Sequence, residues 1–309
     1  MIADNPDYME VTAMIKKIYK EDVSLLDSFN ELTRNTFGFD FTGWHAAGHF
    51  SDMYVPHVLL DKEKVVSNVS VNRMQFDMGG VIKNYIQIGT VMTDEAYRGQ
   101  GLNRKIMESI LQEYAGKVDG IYLFGNDTVL EYYPKFGFVP CEEYEYYFTY
   151  ESNSDVIPVV MEQVDMADAA QAKRFYAVME NYSATPDVPN ENDALYMNEN
   201  ICLYHFWLDA IYNNNVYYLP ECGVYVVAAV EDDKLNLYQI IGKEKVDVKR
   251  IAKAFGEGFS EVVLGYTPVH KEGLSVRIHK EEDCTLFILG EDLRCVSERK
   301  MMFPILSHA

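Results

Sequence analysis

At 309 residues, 48% of them hydrophobic and 24% charged, the chain is long enough for two ordinary domains with cores of their own. A formal net charge of −21 argues against a nucleic-acid binder, which needs a basic face, and suits a cationic or amine-bearing partner. Five dispersed cysteines (Cys141, Cys202, Cys222, Cys284, Cys295) without a C-x-x-C pair read as reduced thiols, against a disulfide framework or a zinc site.

The opening residues, Met1-Ile2-Ala3-Asp4-Asn5-Pro6-Asp7, are acidic and lack an apolar run, so no signal peptide is expected. The longest apolar stretch, 224–230, is far shorter than the ~20 residues of a membrane span. A soluble, cytoplasmic protein with no membrane partner is therefore expected.

In chain order, Asp22-Val23-Ser24 opens a helix whose Leu25, Phe29 and Leu32 share one face. Residues 37–57 are aromatic and lack a clear period, which suits a helix with flanking loops. Val58-Leu59-Leu60 and Val65-Val66 flank the charged turn Asp61-Lys62-Glu63-Lys64 as a hairpin. A second hairpin at Gly79-Gly80 leads into a strand over 85–91, where Gly89 predicts a bulge. Leu102, Ile106, Ile110, Leu111 and Tyr114 form one helical stripe. A buried strand (120–124), a short helix (128–133) and strand material (138–150) complete the first half.

The polar stretch 151–158 marks a boundary near residue 152, giving domains 1–151 and 152–309. The second half repeats the pattern. Helices over 167–182 and 193–209 precede a hairpin of strands 224–230 and 235–241 around Glu231-Asp232-Asp233-Lys234. A helix over 247–255 and a strand over 261–266 follow. The two halves read as one diverged repeat.

Between strand and helix lies Arg98-Gly99-Gln100-Gly101-Leu102-Asn103-Arg104. A helix N-terminus offers unpaired N–H groups and partial positive charge to an anion, provided that bulky side chains do not block the approach. Gly99 and Gly101 remove that obstacle, while Arg98, Arg104 and Lys105 add cations. Downstream stand Asn126 and, seven residues on, Tyr133-Pro134-Lys135-Phe136-Gly137-Phe138.

These two ordered motifs resemble the GNAT superfamily of N-acetyltransferases, with Asn103 standing where a small Gly or Ala is usual. The resemblance covers residues 14–150. It implies an α/β (α+β) fold, a mixed, mostly antiparallel sheet flanked by helices, with acetyl-CoA as donor and no metal. The loop residues Arg98–Arg104 and Asn126 would hold the cofactor, with Val91, Met92 and Thr93 bonding its pantetheine arm. Tyr133 would be the general acid. Trp44, His45, His49 and Tyr85 would meet the acceptor. His45 and His49, four apart, have the spacing of a metal pair, but Ala46 stands where H-E-x-x-H has its glutamate.

The second half has no Arg-Gly-x-Gly, and Gly256 and Gly258 follow a helix instead of opening one. It reads as a degenerate GNAT-like domain without a phosphate loop, a tandem arrangement similar to Eis-like acetyltransferases, whose homo-oligomers the resemblance also implies. The function so implied is acetyl transfer to a primary amine of a small cationic molecule or basic peptide. The alternatives are a non-catalytic acyl-CoA-binding regulator and a tandem-GNAT aminoacyl or long-chain acyltransferase.

Overall fold

The structure is a computed structural model and describes residues 14–152, 155–183 and 190–309. The expectation of no signal peptide concerns residues outside the described ones, as do residues 153–154 of the expected boundary. The described chain groups into two compact units, one of residues 14–73, 86–118 and 309, the other of residues 74–85 and 119–308.

The first unit contains β1 (Lys16–Lys17), α1 (Val23–Phe37), α2 (Thr42–Ala46) and β2 (Tyr54–Asp61), then most of β3 (Lys64–Asp77) and β4 (Ile82–Thr93), and α3 (Leu102–Tyr114). Its strands lie in the order β1-β2-β3-β4. The two-residue turn between β2 and β3 places Lys62 at φ 56°, and the pairing shifts at Leu59/Leu60, a bulge beside the turn. Helix α1 buries Leu26, Phe29, Leu32 and Thr33, and stops where Gly38 at φ 81° donates to the carbonyl of Arg34. Helix α3 buries Leu102, Ile106, Met107, Ile110 and Tyr114.

In the second unit the elements are β5 (Gly120–Gly125), β6 (Val139–Pro140), β7 (Tyr144–Thr149), β8 (Glu162–Gln163), α4 (Ala169–Ser183), β9 (Tyr196–Met197), α5 (Ile201–Ala210), β10 (Val216–Leu219), β11 (Val224–Glu231) and β12 (Lys234–Ile241). They continue with α6 (Val248–Phe255), β13 (Glu261–Leu264), β14 (Ser275–Ile278), β15 (Thr285–Leu289) and α7 (Cys295–Glu298). The expected helix over 128–133 is instead two 3-10 turns, Asp127–Val129 and Tyr133–Phe136. The helix expected from 193 begins only at Ile201. Upstream, polar side chains take the backbone groups a helix would use: Asn190 Oδ1 accepts from the N–H groups of Asn192 and Asp193, and Asp193 Oδ1 from that of Leu195.

Two strands are exchanged along the sequence. β15 lies antiparallel between β5 and β6, with Phe287 opposite Leu123 on one side and Pro140 on the other. Conversely, β7 lies between β13 and β14, in the sheet ordered β14-β7-β13-β12-β11-β10-β8. Arg277 on β14 fixes the guest strand by bonding Glu145 on β7 and holding Glu261 on β13 through two contacts of 2.8 and 3.0 Å. The expected second-half order is present, with antiparallel β11–β12 and then α6 leading to β13, parallel to β12. Among the described residues no helix is long and apolar enough to cross a membrane.

Candidate active site

The glycine loop sits in the first unit. A 3-10 turn over Glu95–Tyr97, capped by Asp94 accepting from Ala96, delivers the chain to Arg98, whose Nε reaches the Thr93 carbonyl at 3.3 Å. Gly99 and Gly101 adopt φ 77° and 72°, where a side chain is strained, and a Cβ at either would meet nothing within 4 Å. The glycines are thus required by conformation and leave one side of the loop open. Gly101 is the N-cap of α3 and supplies no side-chain cap, and the first turn carries no acid. Arg98, Arg104 and Lys105 are exposed around it. An uncapped, cation-flanked helix N-terminus fits a pyrophosphate.

Asn103, the departure from the motif, bonds the sheet: its Oδ1 accepts from Ser67 Oγ at 2.5 Å. Ser67 also bonds Thr93 Oγ1 at 3.0 Å. Met92 is buried, with Val91 and Thr93 half-buried beside it. Beside Gly89, Thr90 adopts φ 48°. Gly89 is also limited in space, since a Cβ there would come within 3.1 Å of the Ala309 carbonyl oxygen.

Of the expected acceptor contacts, Trp44 packs among Phe41, Phe50 and Tyr54, with ring centroids 5.6–5.7 Å away. His45 bonds the Lys20 carbonyl at 2.8 Å, and His49 is half-buried. Among the described residues no group of three or more His, Cys, Asp or Glu is placed to hold a metal.

Tyr85, Asn126 and Tyr133 belong to the second unit. Tyr85 is buried and donates to Asp292 Oδ2 at 2.5 Å, so burial and that carboxylate push its hydroxyl far above the usual range. No local spacing links two residues 207 positions apart, and Asp292 escaped the sequence reading for that reason. Asn126 Oδ1 caps a 3-10 turn, accepting from Thr128 N at 3.1 Å. Tyr133 packs edge-on to Tyr132 and against Phe138 and Phe287, and is 4% exposed. Its ring occupies the side-chain direction of Gly125, where a Cβ would lie 3.0 Å from Tyr133 Cε2. Burial pushes the Tyr133 hydroxyl well above tyrosine's usual value, and among the described residues that hydroxyl makes no hydrogen bond. It is a protonated, uncommitted donor.

Residues 17–141 match the family model of the acetyltransferase (GNAT) domain. The chain carries a GNAT domain. Solved structures extend the likeness through both halves of the chain. A conserved Enterococcus faecalis V583 protein of unknown function, described as a probable N-acyltransferase, is 18% identical over 91% of this chain and 73% of its own, with a TM-score of 0.58. A GCN5-related N-acetyltransferase from Anabaena variabilis ATCC 29413 is 14% identical over 88% and 72%, with a TM-score of 0.55. Eis1 from Mycobacterium abscessus is 10% identical over 88% and 73%, with a TM-score of 0.52. At such identities the likeness is one of fold. No curated protein matches the sequence significantly.

The second half carries no Arg-Gly-x-Gly loop. Its helix α6 has Asp247 as N-cap, whose Oδ1 accepts from the N–H of Lys249 at 2.9 Å. A carboxylate of the chain itself occupies the place an anionic ligand would take.

Proposed function

We propose that the protein transfers an acetyl group from acetyl-CoA to a primary amine of a small cationic molecule or basic peptide by direct attack. The observation that carries this reading is the opening of α3: a glycine N-cap without a side-chain cap, open on one side and ringed by exposed cations. Arg98, Arg104 and the N–H groups of the first turn would bind the pyrophosphate, and Gly99 and Gly101 admit it. Backbone groups of Val91–Thr93 would align the pantetheine arm and polarise the acyl oxygen. Tyr133, kept protonated by burial, would donate to the departing thiolate. The bound donor supplies an activated thioester; an acceptor alkylamine must shed a proton, which costs roughly 4–5 kcal/mol at pH 7.

The second half is proposed to be a diverged copy that binds no cofactor of its own, supported by the Asp247 cap. The net charge of −21 supports a cationic acceptor. Free thiol released from acetyl-CoA across a panel of amines tests the function. Tight CoA binding without turnover of any amine would leave a binding protein instead.

A further inference from the structure

One cavity lies wholly within the second unit, clear of every residue placed in the acetyl-transfer machinery. It measures about 320 Å³ and opens to solvent between the start of α6 and the loop after β13. Ligand sites begin near ~300 Å³, so the space suits one small molecule. Buried Asn192 builds its walls. The Asn192 Nδ2 donates to the Glu244 carbonyl at 2.7 Å, and its Oδ1 accepts from the N–H of Val246 at 2.9 Å. On the other side its backbone carbonyl accepts from the N–H of Val269 at 3.0 Å. The segment ahead of α6 and the loop after β13 are thus tied through one residue, and the cavity is formed before any ligand arrives.

Leu264 and Tyr266, two apart, belong to one buried apolar cluster with Val246, against which Leu274 packs. These residues line the cavity and give it an apolar floor. One polar atom there is uncommitted: Tyr266 is 1% exposed, and among the described residues its hydroxyl makes no hydrogen bond. A buried hydroxyl left unpaired is costly, so it points to a partner that the cavity admits. The rim is charged. Glu191 pairs with His270 at 3.7 Å, and Asp247 is engaged as the cap of α6. Lys245, Lys249 and Glu272 are exposed there, and their side chains have no hydrogen-bond or ion-pair partner among the described residues. Lys249 Nζ stands 3.4 Å from where a Cβ on Gly273 would lie, which sets this ammonium beside the residue that follows Glu272.

Unpaired ammonium groups and an unpaired carboxylate around an apolar floor match a zwitterion with an apolar body. A phosphate is disfavoured, because the Asp247 carboxylate already holds an N–H of α6. A simple amine would leave both lysines unmatched, and a fatty acid would leave Glu272 unmatched. We propose that this cavity binds a free α-amino acid with an apolar side chain, of the size of leucine or phenylalanine. The side chain lies on Leu264 and Leu274. The carboxylate lies towards Lys245 and Lys249 and accepts from the Tyr266 hydroxyl, while the ammonium faces Glu272. This gives the half without a GNAT phosphate loop a ligand of its own, and it does not depend on the acetyltransferase reading.

Calorimetric titration of the full chain, without acetyl-CoA, tests this with L-leucine and L-phenylalanine. The controls keep each side chain but lack one charged group: isocaproate and isoamylamine for leucine, hydrocinnamate and phenethylamine for phenylalanine. At least one of the two amino acids should bind, with one site per chain, and its single-charge analogues should bind about tenfold more weakly or worse. Tyr266→Phe, and separately Lys245→Gln combined with Lys249→Gln, should each weaken binding about tenfold. The lysines are exposed, so the second variant still reads the site if Tyr266→Phe melts early. Three results would overturn the assignment: no binding of either amino acid at about 10 mM, a single-charge analogue that binds as tightly, or full affinity in the lysine variant. The last would put the amino acid elsewhere on the chain, as an acetyl acceptor for instance. Absence of thiol release from acetyl-CoA, by contrast, bears on the acetyltransferase reading alone.

Discussion

Ser67 donates its hydroxyl to Asn103 Oδ1 at 2.5 Å, which turns the one atypical residue of the glycine loop onto the sheet. An asparagine where a small residue is usual therefore does not close the loop, whose open side is set by Gly99 and Gly101. Asn103→Ala removes this bond and is expected to cost about 1 kcal/mol of stability while changing acetyl-CoA affinity less than about threefold. Calorimetric titration together with a thermal melt checks both. A loss of affinity above tenfold would place Asn103 on the phosphates.

The contrast between Gly101 and Asp247 predicts one cofactor per chain. Gly101→Asp puts a carboxylate where Asp247 stands in α6 and is expected to weaken acetyl-CoA binding at least about 100-fold. Gly101→Asn, neutral and tolerant of positive φ, should lose much less. Titration of the unmodified chain should saturate at a single equivalent; two equivalents would mean that α6 also holds a ligand.

The exchanged strands predict that the chain cannot be cut into working halves at residue 152. A fragment ending there lacks β15, the strand joining β5 to β6, and exposes β7 as an unpaired edge. It is expected to be insoluble or unfolded by circular dichroism, and to be recovered when residues 152–309 are supplied on a second chain. A folded, CoA-binding fragment of residues 1–151 would contradict this.

Glu143 predicts the pH dependence of stability. Burial raises its pKa from 4.5 to about 7, so the folded state prefers the protonated acid. Its favourable contribution is complete below the unfolded pKa and is lost as pH rises towards 7, a change on the order of 3 kcal/mol. Glu143→Gln, which keeps an oxygen for the Phe303 N–H, should melt higher than wild type at pH 8, with the gap closing by pH 5. An equal gap at both pH values would show that the carboxyl does not titrate in this way.

Much of this was legible in the sequence where a signal was local. The α3 stripe, the charged hairpin turns (read as four residues, two in the structure) and the Gly99/Gly101 loop depend on residues within a few positions of each other. The exchange of β7 and β15 was not legible: 144–149 and 285–289 read as strands, but pairing partners more than a hundred residues away leave no periodic trace. For the same reason the bond from Tyr85 to Asp292 left no trace in the sequence. At Gly89, where a bulge is expected, a second constraint that the sequence could not register is the close approach of Ala309. The helix expected from 193 failed because Asn190 and Asp193 bind nearby backbone, a competition that hydrophobic spacing does not register.

The central claim, acetyl transfer with Tyr133 as the acid, is tested most directly by the initial rate of thiol release from acetyl-CoA, wild type against Tyr133→Phe, across an amine panel. With at least one amine the wild type should turn over. Tyr133→Phe should lose about 10²-fold or more in kcat while binding acetyl-CoA as before. Equal rates for the two proteins would contradict the role of Tyr133, and no amine-dependent thiol release from a wild type that binds acetyl-CoA would contradict the activity itself.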